Sequence, residues 1–185
     1  MILPIIGYGH SVLKAVAEDI SQEYPDLNQL IENMWETMYN AHGIGLAAPQ
    51  IGLSIRLFLV DTQQGSEEED KDQGIKKVFI NAEILEEGGE DVSYEEGCLS
   101  IPGIKGDVYR PEQVKIKYLD ESFKEHIEIY EGLNARVIQH EYDHIDGILF
   151  TDLLGPLKKR RIKKKLDEIK EGKLRAEYKM KYLKK

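Results

Sequence analysis

The sequence predicts an α+β fold, with mostly antiparallel strands around one central helix and a further helix at the C-terminus. Three observations carry that expectation. Three segments repeat apolar residues at steps of three and four, whereas other short runs are wholly apolar or alternate with period two. A chain of 185 residues with 41% apolar content has room for one substantial core. No internal repeat divides it, and no linker separates two cores.

Taken in order, Met1 to Ile6 is apolar but has no basic flank, and it stops at Gly7-Tyr8-Gly9. That is too short for a signal-peptide core or a membrane span, so the cytoplasm is the expected address. From Asp26 to Ala41, the residues Leu27, Leu30, Ile31, Met34, Trp35 and Met38 line one helical face. Pro25 and Asp26 open this helix, and Gly43 is expected to end it. Arg56–Val60 and Lys77–Ile80 read as buried strands. Between them, the acidic Thr62–Gly74 segment reads as a solvated loop. Val114–Tyr118 and His126–Tyr130 alternate with period two about Asp120-Glu121-Ser122, which predicts an antiparallel hairpin. A second helix should run from Leu133 to Asp146 and stop at Gly147. Pro156 opens a third, with Leu157, Ile162, Leu166 and Ile169 as its apolar stripe. Gly172 interrupts that stripe, and Leu174, Tyr178 and Leu183 extend it.

The net charge of −9 conceals a division. Lys158 to Lys185 carries 14 Lys/Arg and 4 Asp/Glu, which leaves Met1 to Leu157 at −19. Residues 1–157 are therefore read as an acidic body, and 158–185 as a basic helical arm of the same domain. An arm of this kind suits a polyanionic partner, whereas the acidic body argues against DNA. The lone cysteine, Cys98, excludes an intramolecular disulfide and fits a reducing compartment.

Chemistry concentrates on the second helix, at His140-Glu141-Tyr142-Asp143-His144. Two histidines four residues apart share one face and can reach one metal ion, and the glutamate beside the first can act as a base without ligating. Cys98, in Glu96-Gly97-Cys98-Leu99-Ser100, is the natural third ligand, since a catalytic site keeps three protein ligands and one open position. Gly43-Ile44-Gly45-Leu46-Ala47-Ala48-Pro49-Gln50 offers a closely approachable backbone, and Gln50 adds an amide donor. An H-E-x-x-H helix alone equally fits a zincin-type metallopeptidase. A non-catalytic ribosome-binding protein with a structural metal is the alternative from another class.

Together these three segments closely resemble the peptide deformylase family of the bacterial type. Its signatures G-x-G-x-A-A-P-Q, E-G-C-L-S and Q-H-E-x-D-H occur here, in order, as Gly43–Gln50, Glu96–Ser100 and Gln139–His144. The resemblance implies that Cys98, His140 and His144 bind one divalent metal with water in the fourth position. Fe(II) is the first expectation, with Zn, Ni or Co also suiting these donors. It implies that Glu141 takes a proton from that water and passes it to the leaving amine. The side-chain amide of Gln50 and the backbone N–H of Leu99 would stabilise the oxyanion. The substrate would be a nascent chain carrying formylmethionine, held along Ile44-Gly45, its methionine in a slot of Ile44, Leu133 and Val137. Asp143, Glu96 and Arg110 are expected to orient the ligands or their loop. The basic arm, through Lys158-Lys159-Arg160-Arg161 and Lys163-Lys164-Lys165, would dock on ribosomal RNA near the exit tunnel.

Overall fold

The structure, a computed structural model, describes every residue except 65–73, 175, 184 and 185. Most of the acidic 62–74 segment therefore lies outside the described residues. Among them, no helix is long and apolar enough to cross a membrane.

The main sheet has five antiparallel strands in the order β2 (Gly45–Ala47), β3 (Leu57–Asp61), β4 (Lys76–Cys98), β5 (Ile101–Leu119) and β6 (Glu125–Glu131). A separate pair joins β1 (Ile5–Ile6) in parallel to β7 (Met180–Lys181), so the two ends of the chain meet. Among the described residues, three α-helices complete the fold: α1 (Leu27–Asn40), α2 (Gly132–Ile145) and α3 (Pro156–Lys170).

β3 is buried along its whole length because the sheet is covered on both faces. Phe58 and Val60 face a cluster with Val137 and Ile138 of α2. Leu57 and Leu59 face the opposite cluster, with Ile31, Met34 and Met38 of α1. A strand buried on two faces reads as a continuous apolar run, as Leu57-Phe58-Leu59-Val60 does. A third cluster joins Ile6, Ile101, Ile104 and Phe150 to Ile162 and Ile169 of α3. The helix α3 thus packs on the body by two buried side chains, with Leu166 partly buried beside them, while Leu157 stays exposed.

Four expectations need correction. The turn ending α1 is made by His42, not Gly43: His42 takes φ 55°. The N–H of His42 donates to Tyr39 O and that of Gly43 to Met38 O, closing the last turn. The strand expected at Lys77–Ile80 is only the first part of a strand that runs on to Cys98. Its Glu- and Gly-rich continuation has low strand preference, but Glu83 and Glu86 meet Lys117 and Lys115 across the β4–β5 ladder, at 2.7 and 3.1 Å. β5 likewise starts at Ile101, well before Val114. The apolar stripe of α3 does not continue past Gly172. The helix stops at Lys170, and the described residues beyond it form an irregular tail ending in β7.

Candidate metal centre and active site

His140 and His144 lie one turn apart on α2, their rings edge-to-face with centroids 5.1 Å apart. Cys98 is the last residue of β4, where the hairpin to β5 turns back beside the helix. The thiol sulfur lies 3.3 Å from His144 Nε2. One ligating atom from each of Cys98, His140 and His144 falls within 4.8 Å of the others. Two imidazoles and a thiolate converging at this spacing suit one ion of the Zn or Fe(II) class, so the residues fit the metal their pattern implied.

Around the ligands lies a buried ionic network. Glu96 Oε2 is 2.9 Å from His140 Nδ1, which leaves the other ring nitrogen to face the sulfur. Arg110 donates to both Glu96 oxygens at 2.7 and 3.0 Å and to Asp143 Oδ2 at 2.8 Å. Arg136 donates to Glu96 Oε1 at 3.0 Å and to the Val108 carbonyl at 3.0 Å. Burial alone would raise the Glu96 carboxyl, but the bonds from His140 and Arg110 outweigh it and hold the group well below the usual range. Two of the three residues expected to orient the ligands, Glu96 and Arg110, are buried, and Asp143 is partly so. Sequence reasoning missed Arg136, because its partners, Glu96 and the Val108 carbonyl, lie 40 and 28 residues away along the chain and no local pattern marks it as buried.

Glu141 is 4% exposed, and among the described residues its Oε2 has no hydrogen-bond partner. Burial pushes its carboxyl up to about 7, with the His140 charge opposing and Glu96 adding to the shift. A carboxyl near neutrality both accepts and returns a proton readily. Its position requires Gly45: a Cβ there would lie 2.4 Å from Glu141 Oε1.

Gln50 is held by its own Oε1, which accepts the Ala47 N–H at 2.9 Å. That aims its Nε2 at Cys98 Sγ and Ser100 Oγ, each at 3.4 Å. A cavity of about 850 Å³ opens over these groups, and its walls include Ile44, Gly45, Gln50, Leu99, Leu133 and Val137. Cys98, His140 and Glu141 also border this cavity, whereas His144, within reach of the other two ligating atoms, does not line it. The structure therefore brings every site residue expected from the sequence to one place. It adds a wall that was not foreseen, from Leu174, Ala176, Glu177 and Tyr178 of the C-terminal tail.

Comparison with known proteins follows the same lines. A family model described as polypeptide deformylase matches residues 2–160. The peptide deformylase of Flavobacterium johnsoniae is 56% identical over 189 aligned residues, covering 98% of this chain and 96% of that protein. That of Christiangramia forsetii is 54% identical with the same coverage. Among solved structures, a peptide deformylase from Legionella pneumophila matches with TM-score 0.82 at 40% identity, covering 95% of this chain and 99% of its own. One from Synechococcus elongatus, in complex with actinonin, matches with TM-score 0.78 at 41% identity, covering 88% and 87%.

Proposed function

The chain belongs to the polypeptide deformylase family, metal-dependent hydrolases that remove the formyl group from the N-terminal formylmethionine of nascent polypeptides, and we propose how its own residues carry that reaction. One observation carries the proposal: the buried Glu141 carboxylate, with an unpartnered oxygen, stands beside three converging ligands and opens on the cavity. Cys98, His140 and His144 would hold one divalent ion. When bound, it supplies Lewis acidity toward water and the formyl oxygen. We take that ion to be Fe(II), on the resemblance; zinc, nickel and cobalt suit the same donors.

The peptide lies extended along Ile44-Gly45, because β2 is an edge strand whose free side can take one more chain. Its methionine enters the apolar slot of Ile44, Leu133 and Val137. Glu141 takes a proton from the attacking water, whose oxygen adds to the formyl carbon. The Gln50 side-chain amide and the Leu99 N–H hold the negative oxygen of the tetrahedral intermediate. Glu141 then delivers its proton to the amine nitrogen, the C–N bond breaks, and formate leaves. Glu96, braced by Arg110 and Arg136, keeps the His140 ring aimed.

Formate release from a formyl-Met peptide, followed anaerobically with metal content measured, tests this reading. Glu141→Gln should abolish turnover with metal retained, whereas Cys98→Ala should lose metal. Cleavage of only an internal peptide bond would instead make the protein a metallopeptidase.

We further propose a cytoplasmic protein in which 1–157 is the catalytic body and 158–185 an arm of the same domain. The cations Lys158, Lys159, Arg160, Arg161, Lys163, Lys164 and Lys165 are all exposed on α3. That supports docking of the arm on ribosomal RNA phosphates near the exit tunnel. Truncation at Leu157 would also remove the cavity wall, so the test is replacement of Lys163, Lys164 and Lys165 by Ser. Cosedimentation with ribosomes should weaken and become less salt-dependent; unchanged binding would dismiss the docking.

A further inference from the structure

We propose that Tyr178, on the C-terminal tail, is a positioning residue for deformylation: its hydroxyl fixes the Leu99 carbonyl and thereby the aim of the Leu99 N–H. This rests on the reading above in which that N–H holds the developing oxyanion.

Leu99 and Ser100 form the whole turn between β4 and β5, since Cys98 pairs directly with Ile101. Two-residue hairpin turns normally take positive φ at one or both central residues, which matches the twist of their strands; other turns splay them. Among the described residues, the non-glycine ones with positive φ are Asp26, His42, Asn81 and Phe123, so neither Leu99 nor Ser100 is of that kind. The register of β4 against β5 also shifts between the Gly97–Lys105 and Cys98–Ile101 pairs, so the ladder reaches this turn only through an irregularity, and bonds from outside add to its hold.

Among the described residues, three such bonds exist. The Tyr8 N–H donates to the Ser100 carbonyl at 2.9 Å. Gln50 Nε2 lies 3.4 Å from Ser100 Oγ. The Tyr178 hydroxyl donates to the Leu99 carbonyl at 2.7 Å. The first two hold Ser100, and among the described residues the third is the one of these bonds that reaches the Leu99 backbone. The carbonyl and the N–H of Leu99 belong to successive rigid peptide planes that meet at its Cα. With Cys98 fixed among the ligands, clamping the second plane leaves the first little freedom.

Tyr178 is itself well anchored. Ahead of it, Leu174 packs on the cluster of Ile101, Ile104 and Ile169. Behind it, β7 pairs with β1, where the N–H groups of Ile5 and Gly7 donate to the carbonyls of Lys179 and Lys181, each at 2.9 Å. The ring carries the hydroxyl from this braced tail across the cavity wall to the turn.

The test is Tyr178→Phe, with Tyr182→Phe on the same tail as control, each assayed for kcat, KM, metal content, unfolding midpoint and amide exchange at Leu99 and Ser100. For Tyr178→Phe, kcat should fall about tenfold, short of the roughly 10²-fold that a 1 Å misplacement costs. KM, metal content and midpoint should match the control, and exchange at Leu99 and Ser100 should quicken. An unchanged kcat overturns the proposal. So does a raised KM with kcat intact, or a drop in midpoint or metal content that accounts for the loss. Glu141→Gln is run in parallel: if it turns over normally, the underlying reading of the site has failed. If it is dead while Tyr178→Phe equals wild type, only the role of Tyr178 has failed.

Discussion

Substituting Gly45 by Ala should disable the enzyme while leaving it folded. The added Cβ would lie 2.4 Å from Glu141 Oε1 and 2.8 Å from its Cδ and Cγ, against 3.4 Å or more for ordinary contact. Relief requires the carboxylate to move by about 1 Å. Swinging the end of the side chain is not enough, because Cγ clashes too. The backbone of α2 is pinned by packing on β2, β3 and β5. A displacement of about 1 Å in a reacting group costs roughly 10²-fold in rate, equivalent to about 2.7 kcal/mol of barrier. Overpacking of this size typically costs about 1–3 kcal/mol of stability, which a folded domain tolerates. Formate release at saturating formyl-Met peptide, on protein with verified metal content, measures the loss. A kcat within twofold of wild type would refute the argument, since the Glu141 position would then not matter to the reaction.

Glu96→Gln removes the charge that compensates Arg110 and Arg136 and weakens the hold on His140. It should cost about 3 kcal/mol, toward the low end for breaking a buried pair, and lower metal affinity 10- to 100-fold, approximately. Urea unfolding and metal titration check both, and an unchanged midpoint would count against the network. On the edge strand β6, burial would raise the Glu128 carboxyl, but Lys77, Tyr118 and Tyr130 outweigh it and hold it down at about 2. A carboxylate lowered in the folded state stabilises the protein above its ordinary value near 4.5, and that stability drains away as pH falls toward about 2. Glu128→Gln should therefore flatten the acid limb of the stability curve across that interval; parallel wild-type and variant curves would disprove it.

What could be read directly from the sequence was what is local. The four-residue spacing of His140 and His144 places both on one face of α2, and the neighbouring Glu141 follows by the same helical period. The double-sided burial of Leu57–Val60 was likewise present in its unbroken apolar run. The three short segments around Gln50, Cys98 and His140 also carried the family resemblance. Tertiary structure alone decided whatever depends on a distant partner. The Glu- and Gly-rich half of β4 has little strand preference and is a strand because β5 pairs with it and supplies Lys115 and Lys117. Arg136 is indistinguishable from a surface arginine until Glu96 and the Val108 carbonyl are brought to it. The tail beyond Gly172 shows a helical apolar spacing, yet pairing with β1 draws it into a strand and sets Tyr178 against Leu99. Helical period is written into neighbouring residues, whereas pairing and burial are settled by residues far along the chain, and only folding brings those together.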